Sequence, residues 1–300
     1  MRPTQKKIPQ RNSTRLKATE TCELMNFLLA KMGGMSRNAA KALLAHRQVM
    51  VNDEVTTQYN KELNAGDSVV INSTRGNVEL SHPKLKIIFE DQYLIVVEKK
   101  EGLLTVSTGK GDETTAFSIL KYYVKNCSPQ NRIFVVHRID RETSGIIVFA
   151  KTREIQLAMQ EHWHEVVTRR VYVTLVEGKV EKEKDTIVTW LSENEKSLKI
   201  HSSLTDNGGQ QAITHYRVVK SNDKLSLLEV ELDTGRKNQI RVHMQGLGHP
   251  IVGDKKYGST TSPIGRMGLH ARILAFIHPM TLEEVKFETP VPRSFLNPFH

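Results

Sequence analysis

The sequence predicts a mixed, mainly antiparallel α+β domain behind a small helical module. Three observations lead there. From residue 85 onward, β-rich runs such as KIIFE, YLIVVEKK, RRVYVTLVEG, DTIVTWL, AITHYRVV and LSLLEVEL outnumber the helical segments between them. Ahead of them, the stretch from Glu23 to Ile71 reads as helix, helix, then short strands. Between the two parts, STRGNVELSHPK is polar and holds Gly76 and Pro83, as a linker does.

In the first module, Leu24, Phe27, Leu28 and Met32 recur at helical spacing, and Gly33-Gly34 stops that helix. Ser36 is placed to cap a second helix, with Ala39, Ala40, Leu43 and Leu44 facing inward. VMVND gives a short strand with a turn at Asn52-Asp53, and AGD turns into SVVI. In the larger part, KIIFE and YLIVVEKK are joined by a short acidic turn. EGLLTV then precedes a helix around TAFSILKYYVKN. REIQLAMQEHWHE is helical, SLKIHS joins the later strands, and NQIRVHMQGLG gives a short helix ending at glycine. LHARILAFIH and EVKFETP close the chain. The expected boundaries are a disordered basic tail over 1–21, the small module over 22–75, a linker over 76–84 and the large domain over 85–300.

The 43 Lys and Arg against 33 Asp and Glu leave a net charge of +10, which suggests a polyanionic partner. Many basic proteins bind nothing anionic, so the location of the charge matters more than its sum. Residues 1–21 hold six basic residues and one acidic, half of the net excess. That segment lacks the apolar core of a secretory signal, and Pro3 and Pro9 count against the amphipathic helix of a transit peptide. No apolar stretch approaches the ~20 residues of a membrane span. Cys22 and Cys127 are too few for a disulfide framework or a four-thiolate zinc site. Two free thiols in a reducing cytosol, and a monomer, are expected.

Several chemistries lack support. His162 and His164 are two apart, so a helix points them apart, and there is no H-E-x-x-H. No metal site is expected. STGKGDETT lacks the spacing of a phosphate loop, and G-x-S-x-G is absent. HRIDRETSGIIVFAK, at 137–151, is different. It sets Asp140 between two arginines at the mouth of an apolar run. One reading is a salt-bridged turn shaped by Thr143, Ser144 and Gly145. The other is a carboxylate held ionised by nearby guanidinium groups. Such a group is a poor general base but a serviceable nucleophile toward a sugar carbon with oxocarbenium character. Only one carboxylate stands out, whereas ordinary glycoside hydrolysis uses two.

Two resemblances sharpen this. An apolar helix, S-R at the next helix start, V-x-V-N and then G-D-x-V, over 22–72, resemble the S4-type (α-L) RNA-binding domain. The resemblance implies that the second helix and adjoining turn lie against structured RNA. Arg37, Lys41 and Arg47, with Lys31 beside them, become the RNA-binding candidates. The family's usual glycine before V-x-V-N is Gln48 here, which bears on that turn.

H-R-x-D-x-x-T-S-G, followed by an apolar strand and A-K, resembles the signature of the RluA-type pseudouridine synthases. EKKEGLLTV, RRVYVTLVEG, TGRKNQIRVHMQGLGHPIVGDKKYG and LHARILAFIHP are similar to further motifs of that family, in order. The resemblance covers essentially all of 85–300. It implies the pseudouridine synthase fold and the isomerisation of uridine in RNA. The N1–C1′ bond breaks, the base turns over and it rejoins through C5, with no cofactor, metal or net hydrolysis. By position, Asp140 is the catalytic carboxylate. It acts by attack at C1′ or by a glycal route through C2′, and both stay open. Tyr172 would contact the uracil and assist proton removal at C5. Arg241 would pair with Asp140, Arg138 would fill the space left by a flipped uridine, and Leu269 would pack near the base.

His137, Thr143, Ser144 and Gly145 are expected to shape the turn, and Arg236 and Gln239 to brace the same wall. The chain departs from the family pattern at Lys100 and Glu101, at Ile139, and at Lys237-Asn238, where Thr-His or Ser-His is usual. The partner is RNA, with large-subunit ribosomal RNA expected and transfer RNA open. A rival from the binding class is an inactive ribosome-assembly factor, which loss of Asp140, Tyr172 or Arg241 would have favoured. A hydrolase of free nucleosides is the other rival, and the sequence lacks its aspartate-rich metal site.

Deleting residues 1–75 is expected to weaken RNA binding more than chemistry. Equal RNA affinity with and without that segment, at modest salt, rules out its role.

Overall fold

The computed structural model describes residues 13–45, 48–72, 80–109 and 113–299. The chain divides into two compact units, one of residues 1–79 with 120–132, the other of residues 80–119 with 133–300.

In the first unit the elements run β1 (Ser13–Lys17), β2 (Cys22–Glu23), α1 (Leu24–Lys31), α2 (Arg37–Ala45), β3 (Val49–Val51), β4 (Glu54–Val55), β5 (Glu62–Leu63) and β6 (Ser68–Asn72). Leu24, Phe27 and Leu28 of α1 and Ala40 and Leu44 of α2 bury one apolar face against Val49, Val51, Val69 and Ile71. The Ser36 hydroxyl accepts from the Ala39 N–H at 3.1 Å, the cap expected from its position. Ala39 itself is exposed, not inward, because the buried stripe follows the i, i+4 pair Ala40 and Leu44. Asn52 and Asp53 both take positive φ, 50° and 66°, and close the β3–β4 hairpin tightly. Gln48 adopts no glycine-like turn. It is buried, and its amide donates to the Asn72 carbonyl at 2.8 Å. The disordered tail expected over 1–21 does not hold for its second half. Ser13–Lys17 pairs antiparallel along β6 and gives that edge its backbone partners. Residues 1–12 lie outside the described residues.

The second unit holds β7 (Leu85–Glu90), β8 (Leu94–Lys99), β9 (Phe134–Val135), β10 (Ser144–Ala150), α4 (Arg153–Glu161), α5 (Trp163–Val166), β11 (Val167–Glu177), β12 (Lys184–Glu193), β13 (Ile200–Ser203), β14 (Gln210–Ser221), β15 (Leu225–Leu232), α6 (Gln239–Gly246), β16 (Leu269–Ile277), β17 (Glu284–Glu288) and α7 (Arg293–Leu296). Helix α3 (Ala116–Cys127) falls between β8 and β9 in the chain. Nine strands run in the order β13-β12-β14-β15-β11-β16-β10-β8-β7, with β17 on β16 and β9 on β10. The α+β class and its mainly antiparallel sheet agree with the sequence expectation.

Between named strands, among the described residues, one ladder is parallel: Ser144 and Gly145 beside His270 and Ala271. Ala271 is also the register partner of Tyr172 on β11. Gly145, Ala271 and Tyr172 therefore form one row across three strands. A register shift between Val171 and Tyr172 marks a bulge at this point, a device that re-aims side chains beside functional sites. Strand β10 is buried at all seven positions, which accounts for its unbroken apolar run. Leu94, Val96, Ile146 and Val148 pack with Ile155 and Met159 of α4. Val176, Leu228, Val230 and Leu269 pack with Ile240 and Met244 of α6. That second cluster seats α6.

Two histidines are locked into this scaffold. His243, 1% exposed, meets the Thr189 and Thr214 hydroxyls, each at 2.8 Å. His270, 2% exposed, meets Ser144 Oγ at 2.7 Å and Thr289 Oγ1 at 2.9 Å. Burial pushes both down to about 4, helped at His270 by the Arg266 and Arg272 charges. The folded state keeps them neutral, while the unfolded chain protonates them near 6.5. Their contribution to stability is complete above pH 6.5 and is lost as pH falls from there toward 4. Each adds a slope of up to about 1.4 kcal/mol per pH unit. Urea midpoints at pH 7, 6 and 5 are expected to decrease in that order, and a flat series refutes this.

Candidate active site

Asp140 sits in the loop between β9 and β10, and the loop's backbone is tied down on all sides. The Ile139 carbonyl accepts from the Thr105 hydroxyl at 2.8 Å. The Asp140 carbonyl accepts from the Thr143 N–H at 3.2 Å, and the Arg141 carbonyl from the Gly102 N–H at 2.8 Å. Lys99, wholly buried, donates its ammonium to the carbonyls of Leu103 at 2.7 Å and of Lys100 and Arg141 at 3.1 Å. Burial pushes Lys99 down to about 8, opposed by the Glu142 and Glu101 charges. His137 Nε2 accepts from the Val148 N–H at 3.1 Å, so the loop needs a neutral imidazole there. Burial and the Arg170 charge push His137 down to about 3. Ser144 donates or accepts at His270 and accepts from Arg266 Nη2 at 2.7 Å, and Arg266 is paired with Glu101 at 2.6 Å. The departure at Glu101 thus supplies the counter-charge for Arg266.

The partner of Asp140 is Arg241, on the first turn of α6, with Nη1 3.0 Å from Oδ2. The flanking arginines do not provide it. Arg138 is exposed, and Arg141 pairs with Glu142 at 3.4 Å. Arg241 is held by a second carboxylate. Its Nε and Nη2 donate to the two oxygens of Asp254 at 2.7 and 2.8 Å, a bidentate fork. The guanidinium carbon lies 4.9 Å from the centre of the buried Tyr257 ring. Burial alone would lower Arg241. Asp254 and then Asp140 more than reverse it, so its pKa is raised. Asp140 keeps 33% of its side chain exposed and Arg241 15%, so the carboxylate is open on one side.

That open side faces a cavity of about 260 Å³. Its wall brings together Asp140, Tyr172, Arg241, Arg138 and Leu269, the five residues expected around one substrate. Leu269 belongs to the core as well. Burial pushes the Tyr172 phenol up, partly opposed by Arg170. Arg236 and Gln239 line the same wall. Gln239 has all its amide groups satisfied by Thr234, the Arg236 N–H, the Ile213 carbonyl and Thr214. Arg37 and Lys41 are exposed on α2, one turn apart, in the other unit, and Lys31 is exposed at the end of α1. Arg47 lies outside the described residues. Among the described residues no three His, Cys, Asp or Glu side chains converge as metal ligands.

Sequence reading missed several groups. Asp254 and Tyr257 lie 13 and 16 positions from Arg241, beyond any helical or strand spacing, although both stand in the matched block ending GDKKYG. Trp163 was passed over beside the histidines of EHWHE. It packs on His137 at 4.8 Å between ring centres and lines the cavity. Arg170, also on the wall, donates to the Asp233 carbonyl at 2.7 Å.

The chain belongs to the RNA pseudouridine synthase family and carries an S4 domain. The family model for RNA pseudouridylate synthase matches residues 93–246, and that for the S4 domain residues 24–69. It is an isomerase of RNA. Among its relatives, the uncharacterized RNA pseudouridine synthase YhcT of Bacillus subtilis is 34% identical over 85% of each chain. The ribosomal large subunit pseudouridine synthase D of Nitrosomonas europaea is 32% identical over 86% of this chain and 77% of that one. Human RNA pseudouridylate synthase domain containing 4 has the same fold. Its structure aligns at a TM-score of 0.59 and 24% identity, over 71% of this chain and 91% of that one.

Gly145 shows how tightly the site is built. At φ 119° a Cβ there would lie 2.1 Å from the Ala271 carbonyl oxygen. Gly145→Ala is expected to cost roughly 2–6 kcal/mol through backbone strain and overlap. An unchanged denaturant midpoint would falsify this.

Proposed function

We propose that this isomerase converts an extruded uridine of structured large-subunit ribosomal RNA to pseudouridine, with Asp140 acting on the ribose. One observation carries the reading: Asp140 and Tyr172 border a cavity of about 260 Å³, and Arg241 grips the carboxylate at 3.0 Å from behind. A cavity of that size suits one flipped nucleoside and no stacked duplex. Fixing the carboxylate before substrate arrives supplies the positioning that this chemistry needs.

Asp140 acts at C1′ by attack, forming an ester bond that breaks as C5 takes its place, or at C2′ by removing a proton that returns to C2′ as C5 bonds to C1′. Either way the N1–C1′ bond breaks, C5 bonds to C1′, and the C5 proton leaves while N1 regains one. Atoms balance without water or cofactor. A phenol pushed up by burial stays protonated near neutrality, so Tyr172 presents its ring and hydroxyl to the uracil. Any deprotonation at C5 through it must be coupled to bond formation. Arg138, exposed at the rim, is suited to fill the stack that the uridine leaves. Leu269 forms the apolar floor.

Residues 22–75 serve as the RNA-binding module, with Arg37 and Lys41 toward phosphate, and 85–300 as the catalytic domain. The ribosomal substrate is supported by the name of the Nitrosomonas relative. A cytoplasmic site of action agrees with that substrate.

Asp140→Asn is expected to abolish pseudouridine formation while RNA affinity stays within about tenfold, roughly 1.4 kcal/mol. Full activity in that variant refutes the assignment. Pseudouridine mapping in cells with and without the chain is expected to lose a position in large-subunit ribosomal RNA. Loss confined to transfer RNA would overturn the substrate.

A further inference from the structure

We propose that Asn238 is a positioning residue for the reaction, locking the Arg241 guanidinium onto Asp140 by tying it to the Tyr257 hydroxyl. The inference rests on the role given to Asp140 above. Asn238 stands where the family usually has histidine, at the residue before α6. Its backbone is left-handed, φ 56° and ψ 20°, and its side chain makes no helix-capping bond. Asparagine at that position normally caps. Here the amide is used elsewhere.

Its Oδ1 accepts from Arg241 Nη1 at 3.1 Å, and its Nδ2 donates to the Tyr257 hydroxyl at 3.0 Å. A guanidinium only donates, so the amide has one orientation that satisfies both contacts. Nη1 is also the nitrogen that holds Asp140. It has two hydrogens, and Asp140 and Asn238 take one each. Asp254 fixes the opposite edge of the guanidinium. The Tyr257 hydroxyl is itself pinned by the Ile200 N–H at 3.2 Å. The chain of contacts thus runs from β13 through Tyr257 and Asn238 to Arg241 and Asp140.

The neutral amide matters. A second carboxylate at 238 would compete with Asp140 for the shared nitrogen and would lose the donor to Tyr257. Glycine would satisfy a left-handed backbone at less cost than asparagine. Backbone and side-chain roles at 238 can therefore be tested apart.

Asn238→Gly separates the two, since it keeps the backbone and removes the amide. Tyr257→Phe removes only the hydroxyl and leaves the ring beneath Arg241. Both variants and their combination would be assayed as full-length protein on total RNA from cells lacking this chain. Asn238→Gly is expected to lower kcat about tenfold, the scale of one hydrogen bond to a charged group, with apparent KM within about twofold. Tyr257→Phe is expected to lower kcat less, and the double variant no further than Asn238→Gly alone, because the two act through one contact.

A wild-type kcat in Asn238→Gly, losses that multiply in the double variant, or a fall confined to KM overturns the inference. Asp140→Asn is the control. If it is inactive while Asn238→Gly is normal, only this inference fails. If it is active, the underlying reading fails with it.

Discussion

One guanidinium organises the site. Arg241 carries two carboxylates, Asp254 behind and Asp140 in front, and lies on the ring of Tyr257. Burying a cation costs several kcal/mol unless its donors are all engaged, and here every nitrogen has a partner. The division of labour is geometric. Asp254, almost fully buried, fixes the plane of the fork. The remaining nitrogen then points at a carboxylate that is still open to the cavity. Arg241 on its own would neutralise Asp140. Sharing its charge with Asp254 leaves the front carboxylate a negative group that is oriented and not quenched.

The sheet brings that pair to the cavity wall. Gly145, Ala271 and Tyr172 lie in one row, so the exit of the Asp140 loop and the strand of Tyr172 are fastened to the same residue. The close approach at Gly145 leaves no room for a side chain, and the bulge at Tyr172 turns the phenol toward the cavity. Buried Lys99, three carbonyls around its ammonium, holds the near end of the loop. Strain and burial of this kind are stabilising only together, since each group depends on the others for its hydrogen bonds.

Much of this was legible beforehand. Local periodicity found the longer helices and most of the longer strands, because each carries its own pattern of buried positions, whereas β1, the two-residue strands β2, β5 and β9 and the one-turn α7 were not read as elements. Asp140, Tyr172, Arg241, Arg138 and Leu269 were recognisable from ordered motifs, and one cavity unites them. Other features were not legible. The arginines beside Asp140 in the chain drew attention as its partners, yet loop geometry turns Arg138 to the surface and Arg141 toward Glu142. The segment Ser13–Lys17 read as a polar tail, because a short edge strand has no apolar alternation strong enough to announce itself. Ala39 looked inward until the phase of α2 was set by Ala40 and Leu44.

The amino-acid sequence by itself determined the class of fold, the order of its main elements, the family and the carboxylate proposed to act. Those depend on local patterning and on short motifs, which survive being read in one dimension. Only the tertiary structure decided what in turn holds the Arg241 cation that the motifs had already paired with that carboxylate. Asp140, Asn238, Arg241, Asp254 and Tyr257 come from three separate stretches of chain, and no spacing rule links them. Hydrogen bonds and ring contacts act over a few ångströms of space, and folding alone sets which residues share that distance.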